Sequence, residues 1–387
     1  MKNDVLSKNI RIYRKKNGLT QAGLAARLYI TPQTVSKWES GISEPDTEKL
    51  CALADAFGIS LDLLVRSQVN DAKKALIAID GGGTKTDFLL FSEDGEVLDR
   101  LILGGSNPNA YGLEQTKSVL SEGIDRFSRS SEIIGIFAGI SGASAGNNRH
   151  ELCEFLKKRY PYAKSRVEGD IHNVIFGVKG APERCIAAIC GTGSVVYGYD
   201  GKDLLRYGGW GYLFDNAGSG FDIGRDALRH ALMAEEGECP ESHLSRAVSE
   251  KAGGKIFDNI GDIYAKGKDY IASFAPTVID LAAKGDGEAL AIVKRTTDRL
   301  ASLINRAADT HRFGNLVVIA GGLSVRRDVI EPLLRQKINE KLKIVFAGRA
   351  PIVGAAVKCV KLYCDEADLD AVREKVEKEI FEKWTVS

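Results

Sequence analysis

The stretch Ala75-Leu-Ile-Ala-Ile-Asp80, running directly into Gly81-Gly-Gly-Thr-Lys-Thr86, decides the fold of this chain. Its first half has the apolar pattern of a buried strand, and the glycines that follow can adopt positive φ angles and bring backbone N–H groups against a ligand. Threonine hydroxyls add donors, so the turn suits phosphate oxygens. Asp80 at the strand end is suited to holding Mg²⁺ through water. Taken alone, the pattern is equally typical of a turn that only joins two strands.

A second stretch of the same kind follows later in the chain, Ile186-Ala-Ala-Ile-Cys190 running into Gly191-Thr-Gly-Ser194. Two such turns predict two similar lobes with a nucleoside triphosphate in the cleft between them. The Walker pattern and the Rossmann glycine fingerprint are both absent from the sequence, which leaves other nucleotide-binding folds with little support.

Five motifs together resemble the N-acetylglucosamine kinases, which are grouped with ATPases of the benzoyl-CoA-reductase-activator type in the actin and hexokinase superfamily. They are Asp80-Gly-Gly-Gly-Thr-Lys-Thr86, Cys190-Gly-Thr-Gly-Ser194, Gly208-Gly-Trp-Gly-Tyr212, Ala217-Gly-Ser-Gly-Phe-Asp-Ile-Gly224 and Ala320-Gly-Gly-Leu-Ser324. The resemblance covers residues 74–356. It implies an α/β body with two lobes of the actin/hexokinase-like, ribonuclease H-like fold, and ATP and Mg²⁺ as cofactors.

The resemblance also assigns ligand contacts by position. Magnesium and phosphate contacts are expected at Asp80, Gly82, Gly83, Thr84, Lys85 and Thr86. ATP contacts are expected at Gly191, Thr192, Gly193, Ser194, Gly321 and Gly322. The Gly321-Gly322 pair is also compatible with a simple strand-to-helix turn.

Asp170 is the expected catalytic residue, because sugar kinases of this superfamily place their catalytic aspartate at a strand-to-helix junction. Phosphoryl transfer needs a carboxylate that takes the proton of the acceptor hydroxyl and fixes its angle. The alternative role is an N-cap, which aspartate also favours. Sugar contacts are expected at Asn107, Asp170 and Asn216, although Asn107 before a proline is also typical of a turn.

The sequence departs from the kinase pattern at two places. These kinases typically read Gly-Asp-Glu-Gly-Ser where this chain reads Asp215-Asn216-Ala217-Gly218-Ser219, and no acidic residue occurs from Gly135 to His150. Asparagine keeps a hydrogen-bonding oxygen but not the charge. Asp80 and Asp170 favour an ATP-dependent amino-sugar kinase that transfers the γ-phosphate to a sugar hydroxyl. The change at Asn216-Ala217 favours an alternative function, a transcriptional regulator that senses sugar and has little catalytic turnover.

A separate basic unit is predicted at the N-terminus. The first 37 residues contain eight Lys or Arg and one acid, although the whole chain has a net charge of only +1. Helix caps and apolar spacing predict five short helices, among them Gln21–Leu28, a third beginning at Pro32 after Thr31, and Thr47–Phe57. These helices resemble the helix-turn-helix domain of the phage Cro and lambda repressor type.

In that family the third helix enters the major groove, so the resemblance implies an operator DNA partner and a homodimer. The expected DNA contacts are Gln21, Thr31, Gln33, Thr34, Ser36 and Lys37, with Gln21 on phosphate. The alternative is a helical module that docks onto protein instead. The basic charge and the polar outward face favour DNA.

The predicted domains follow from these patterns. They are residues 1–66 for the helix-turn-helix, 67–73 for a polar linker, 74–183 and 184–350 for the two lobes, and 351–387 for C-terminal helices that return to the first lobe.

Seven scattered cysteines lack a C-x-x-C pair, which argues against a zinc site, disulfide bonds and a redox-activating ATPase. The sequence lacks a long apolar run and a signal-peptide pattern, so we expect a cytoplasmic protein that has no membrane partner.

Overall fold

The computed structural model describes residues 2–66, 74–128, 131–214, 218–348 and 350–384. The chain divides into two compact units. The first unit comprises Met1–Ala181 and Ala350–Ser387, and the second comprises Pro182–Arg349. The predicted linker 67–73 lies outside the described residues.

Five helices form residues 2–66, which we call the head. They are α1 (Lys2–Lys16), α2 (Gln21–Leu28), α3 (Pro32–Glu39), α4 (Thr47–Phe57) and α5 (Leu61–Arg66). The side chains of Thr20, Thr31 and Asp46 cap α2, α3 and α4 by accepting a hydrogen bond from the backbone N–H three residues later. An apolar core that includes Tyr13 and Trp38 joins the helices. The predicted five-helix head is confirmed.

The first unit continues with a five-stranded sheet. Its strands are β1 (Lys74–Gly81), β2 (Lys85–Phe91), β3 (Val97–Gly104), β4 (Glu132–Ile140) and β5 (Lys164–Glu168), in the order β3-β2-β1-β4-β5. The pairs β1–β2 and β2–β3 are antiparallel, whereas β1–β4 and β4–β5 are parallel. Residues Ala75 to Ile79 are fully buried, because alternate side chains enter apolar clusters on opposite faces.

Four helices follow strands of this sheet, three of them between two of its strands and the last after β5. They are α6 (Pro108–Tyr111), α7 (Leu113–Ser128), α8 (Asn148–Arg159) and α9 (Ile171–Phe176). All six residues of α9 are buried. This helix follows β5 directly, so its N-terminus lies at the edge of the sheet where the parallel strands end.

The second unit repeats the sheet topology. Its strands are β6 (Cys185–Cys190), β7 (Ser194–Tyr199), β8 (Leu204–Tyr207), β9 (Leu316–Ala320) and β10 (Lys343–Phe346), in the order β10-β9-β6-β7-β8. The first three form an antiparallel meander, and β9 and β10 are parallel to β6. The repetition confirms the predicted two-lobed α/β fold.

Helices fill the rest of the second unit. Between β8 and β9 lie α10 (Gly220–Glu235), α11 (His243–Ala252), α12 (Ile256–Ala272), α13 (Ala275–Ala283) and α14 (Gly287–Ala308). A 3-10 helix (Gly322–Arg326) and α15 (Arg327–Arg335) follow β9.

Two C-terminal helices belong to the first unit, α16 (Pro351–Tyr363) and α17 (Leu369–Trp384). Apolar residues of both helices share a buried cluster with Leu76 and Ala78 of β1. Within the described ranges, the model has no helix with the length and hydropathy needed to span a membrane.

Candidate active site

Asp80 lies where β1 ends, next to Gly139 of β4 in the parallel register. The side-chain amide of Asn173 donates to Asp80 Oδ1 at 2.6 Å and to the Gly139 carbonyl at 3.1 Å. Burial, with smaller contributions from the negative charges of Asp170 and Asp87, raises the pKa of Asp80 to about 7, although the Asn173 hydrogen bond opposes these effects. Two carboxylates separated by 90 positions in sequence therefore interact within the first unit.

Asp170 follows β5 and occupies the N-cap position of α9, as expected, but its side chain does not cap the helix. The Ser141 hydroxyl and the backbone N–H of Ile171 instead hydrogen-bond to the carboxylate, and burial raises the Asp170 pKa above its ordinary value. A raised pKa makes a carboxylate a stronger proton acceptor. Because the carboxylate bonds to the first amide of α9 but makes no N-cap bond, this described segment gives the N-cap alternative no support, and the catalytic role stays a prediction.

The first glycine turn presents Gly83, Thr84 and Lys85 at the surface. The Gly82 N–H donates to the Lys85 carbonyl at 2.9 Å, so this amide closes the turn. Gly105 packs so closely on the turn that a Cβ there would lie 2.4 Å from the Gly83 carbonyl.

The structure corrects the prediction for Thr86. Its side chain is fully buried, and its hydroxyl donates to the Gly104 carbonyl at 2.7 Å and lies 2.8 Å from Ser106 Oγ. The second residue of β2 is oriented toward the interior of the sheet. Thr86 therefore stabilises the turn and does not contact phosphate.

The expected sugar ligand Asn107 is half-buried and caps α6, its Oδ1 accepting from the Asn109 N–H at 2.9 Å. A Cβ on Gly142 would lie 2.4 Å from the same Oδ1, so the loop after β4 packs directly against it. Asn148 supports this loop by donating to the Gly142 carbonyl at 3.1 Å. Asn107 therefore stabilises the turn before α6, and its contact with sugar stays a prediction. Asn216 lies outside the described residues.

The second glycine turn, in the second unit, presents Thr192 and Gly193 at the surface and buries Ser194. The Gly191 N–H donates to the Gly193 carbonyl at 2.8 Å, and the first amides of α10 donate to the carbonyls of Gly191 and Thr192. The turn is therefore held against the N-terminus of a 16-residue helix.

The Gly321-Gly322 pair follows β9 in the same unit. Gly321 has φ of +97°, and a Cβ there would lie 2.4 Å from the Cys190 carbonyl. This close approach between the ends of β6 and β9 requires glycine at position 321. Gly322 has open space around it.

The residues of the first unit fit Mg²⁺ reached through water. Asp80 and Asp170 offer carboxylate oxygens, which Mg²⁺ prefers, and the mutual repulsion that raises the Asp80 pKa would be relieved by a cation. In the described part of the chain, no group of three or more His, Cys, Asp or Glu side chains is arranged to enclose a metal ion.

In the head, Gln33, Ser36 and Lys37 of α3 are exposed, as base-reading residues must be. Thr31 and Thr34 are engaged with each other, their hydroxyl oxygens 2.9 Å apart at the start of α3. The Gln21 amide donates to Glu39 Oε2 at 2.9 Å. This bond uses one of the two hydrogens of the amide, so Gln21 supports Glu39 in the described head and its phosphate contact stays a prediction.

Sequence reasoning missed Asn173 and Ser141, the two side chains that hydrogen-bond to the paired carboxylates. Asn173 had a weak signal, because it and His172 are the two polar residues of the run from Ile171 to Phe176, whose other residues are apolar. Its partner Asp80 is 93 positions away, and local patterns do not reveal such pairings.

Comparisons with known proteins give the family of the chain. A model described as the BadF/BadG/BcrA/BcrD ATPase family matches residues 77–358, and a helix-turn-helix model matches residues 10–64. The N-acetyl-D-glucosamine kinase of Dictyostelium discoideum is 28% identical over 319 residues, covering 74% of this chain and 98% of its own. The N-acetylmuramic acid/N-acetylglucosamine kinase of Clostridium acetobutylicum is 29% identical over 300 residues, covering 73% and 97%.

A solved structure from Chromobacterium violaceum, a candidate N-acetylglucosamine kinase, has a TM-score of 0.55 and 26% identity, covering 73% of this chain and 98% of that one. The match to residues 77–358 spans more than half of the sequence and includes both glycine turns and Asp170. The chain therefore belongs to the BadF/BadG/BcrA/BcrD ATPase family and has a helix-turn-helix domain at its N-terminus.

Proposed function

We propose that this chain is an ATP-dependent sugar kinase with a DNA-binding head, and that it transfers the γ-phosphate of ATP to a hydroxyl of an amino sugar. The observation that carries the proposal is the Asp170 carboxylate. It lies at a strand-to-helix junction, makes no capping bond, and has a pKa raised by burial next to a second buried carboxylate, Asp80. Family membership supports the use of ATP.

In the proposed mechanism, Asp170 accepts the proton of the sugar hydroxyl and aligns that oxygen with the γ-phosphate. The Ser141 hydroxyl holds the carboxylate in place. Asp80 would hold Mg²⁺ through water, and the chemistry that the ion would supply there is neutralisation of phosphate charge. The exposed Thr84 and Lys85 of the first turn, and Thr192 of the second, bind phosphate oxygens.

The proposed acceptor is the 6-hydroxyl of an N-acetylhexosamine. The two curated relatives named above are kinases of N-acetylglucosamine or N-acetylmuramic acid, which supports this class. The loop before α6 carries Asn107, whose NH₂ group suits the uncharged hydroxyl and acetamido groups of such a sugar. Asn216 is proposed as a further sugar contact.

The head is proposed to bind an operator as part of a homodimer, with Gln33, Ser36 and Lys37 facing the major groove. One small head binds a half-site weakly, and two heads joined in a dimer bind a symmetric operator with a much higher overall affinity than either head alone. ATP and chromosomal DNA are both present in the cytoplasm, which is the proposed location.

The second candidate is a sugar-sensing regulator with little turnover. The reading Asn216-Ala217, where related kinases carry an acidic pair, favours it. In that case sugar binding would change operator affinity by favouring one conformation of the chain.

The deciding experiment is coupled ADP release from the full-length protein with Mg-ATP and a panel of hexoses, amino sugars and N-acetylated amino sugars. We expect turnover with an N-acetylhexosamine. Asp170→Asn should lower kcat by about 10²- to 10⁴-fold, because it removes the proton acceptor while keeping the shape of the side chain.

Asp286→Asn is the matched control, since Asp286 caps α14 in the second unit and asparagine caps equally well. It should keep parental activity. Equal ADP release by Asp170→Asn and the parent would exclude Asp170 from catalysis. If no sugar supports turnover but one still raises the melting temperature, the sensor is the correct function.

A further inference from the structure

Asn173 occupies the third position of α9, one helical turn after Asp170, and its side chain is fully buried. Both hydrogens of its amide are used, one on Asp80 Oδ1 at 2.6 Å and the other on the Gly139 carbonyl at 3.1 Å. These acceptors are directly paired in the β1–β4 register. The amide therefore joins the ends of two neighbouring strands to the helix that begins at Asp170.

The surroundings of Asn173 prevent its side chain from moving. A Cβ on Gly139 would lie 1.9 Å from Asn173 Oδ1, so the strand has room for the amide only because it carries glycine there. On the other side, a Cβ on Gly354 of α16 would lie 1.7 Å from the Asn173 backbone carbonyl. Close packing on both sides holds the helix and the amide in one position.

The orientation of the amide follows from its neighbours. A carboxylate and a carbonyl both accept hydrogen bonds, so the NH₂ group must face them. Asn173 Oδ1 is then left buried without a hydrogen-bond partner. An unsatisfied buried acceptor destabilises the folded state by about 1–3 kcal/mol. A leucine or alanine would remove this acceptor but would leave Asp80 Oδ1 and the Gly139 carbonyl without a donor, so the role of the amide lies in the two hydrogen bonds that it donates.

We propose that Asn173 is a positioning residue that orients the Asp80 carboxylate toward magnesium-bound nucleotide. The amide holds Oδ1 and leaves Oδ2 for a water molecule of the cation. Partners of this kind, which orient a metal-binding carboxylate, typically change metal affinity 10- to 100-fold. The inference rests on the proposed function for the identity of the ligand.

The test is calorimetric binding of the non-hydrolysable nucleotide AMP-PNP to the full-length protein, with Mg²⁺ and separately with EDTA. Asn173→Ala should weaken binding of the magnesium form about 10- to 100-fold and leave binding in EDTA unchanged. In steady-state assays the Mg²⁺ concentration needed for half-maximal rate should rise more than kcat falls. Asn173→Ser provides a second variant should the alanine protein fail to fold.

Asn9→Ala is the matched control. Asn9 is also a buried asparagine in the first unit, and its amide donates to the Leu64 carbonyl at 2.8 Å in the head. This variant should lose stability but keep the parental affinity for Mg-AMP-PNP.

A double-mutant cycle with Asp80→Asn separates positioning from general destabilisation. In the Asp80→Asn background, adding Asn173→Ala should cause no further loss of Mg-AMP-PNP affinity. Parental affinity in Asn173→Ala, equal losses with and without Mg²⁺, or additive losses in the cycle would overturn the proposal. A parent that binds Mg-AMP-PNP but releases no ADP would count against the kinase function while leaving this test intact.

Discussion

At the residue scale, a buried ionisable cluster consists of Glu168, His172 and Lys358. Glu168 and His172 lie on either side of Asp170 in sequence, and Lys358 belongs to α16. His172 Nε2 lies 3.1 Å and Lys358 Nζ 3.8 Å from Glu168 Oε2, and Arg166 donates to Glu168 Oε1 at 2.6 Å. The first three side chains are each less than a tenth exposed. Burial of such charges is favourable only while each keeps a partner.

The cluster predicts a pH dependence of stability. Burial lowers the pKa of His172 below its ordinary value, with Glu168 opposing and Lys358 adding to the effect. As the pH falls below about 6.5, the unfolded chain binds a proton before the folded chain does, so the stability present at higher pH is lost. Between about pH 7 and pH 5, His172→Gln should show a shallower fall in the free energy of unfolding than the parent.

Urea unfolding at several pH values measures this difference. His150→Gln, at an exposed position on α8, is the control and should follow the parent. Parallel curves for His172→Gln and the parent would show that His172 does not contribute to the pH dependence.

At the element scale, the contact between α9 and α16 positions the carboxylate site. Gly354 on α16 lets the two helices approach until backbone atoms touch, because a Cβ on Gly354 would lie 1.7 Å from the Asn173 carbonyl oxygen and 2.6 Å from the Gly177 backbone nitrogen. The C-terminal helix thereby supports residues that lie far earlier in sequence.

Gly354→Ala should therefore destabilise the protein, although alanine favours helices. The added methyl group would collide with backbone, which cannot rotate away, and overpacking of this kind costs about 1–3 kcal/mol. Gly261→Ala on α12 is the control, because a Cβ there meets nothing within 4 Å and alanine gains up to about 1 kcal/mol in a helix. Thermal unfolding should give a lower melting temperature for the first variant only, and an unchanged value would contradict the close contact.

At the scale of the whole molecule, one chain combines a basic helical head with a body built from a repeated sheet. Its net charge is +1, yet the first 37 residues carry eight Lys or Arg and one acid. Positive charge is thus concentrated where DNA is expected to bind, and the body has nearly equal numbers of acidic and basic residues.

Single changes on α3 should affect DNA binding and leave sugar phosphorylation intact. Lys37→Ala should reduce the slope of log affinity against log salt by about 1, since it removes one cation from the DNA interface. Gln33→Ala should lose about 1–3 kcal/mol of preference for the selected sequence over random DNA. The probes are duplexes that the parent protein selects from a randomised pool.

Lys284→Ala, an exposed lysine of the second unit, is the control for charge alone and should bind as the parent does. Parental salt dependence in Lys37→Ala together with parental selectivity in Gln33→Ala would remove α3 from the DNA interface. Loss of kinase activity in either variant would contradict the separation of the two functions.

The sequence by itself determined the helices of the head and the strand that leads into each glycine turn. Caps such as Thr20 and Thr31, and the apolar runs before the turns, are local signals, so these elements could be predicted, whereas the helices of the second unit between β8 and β9 were not. Asp80 and Asp170 were identified from their positions in the sequence, at the end of the strand before the first glycine turn and at a strand-to-helix junction. The local pattern did not indicate that Thr86 turns inward or that Gln21 pairs with Glu39.

Only the tertiary structure decided which side chains meet. Asn173 reaches Asp80 across 93 positions because β1 and β4 are neighbours in the sheet and α9 packs beside them. The room for that amide depends on Gly139 and Gly354, which come from two other elements. Hydrogen bonds and packing depend on distance in space, and spacing along the chain sets that distance only within a helix, a strand or a turn.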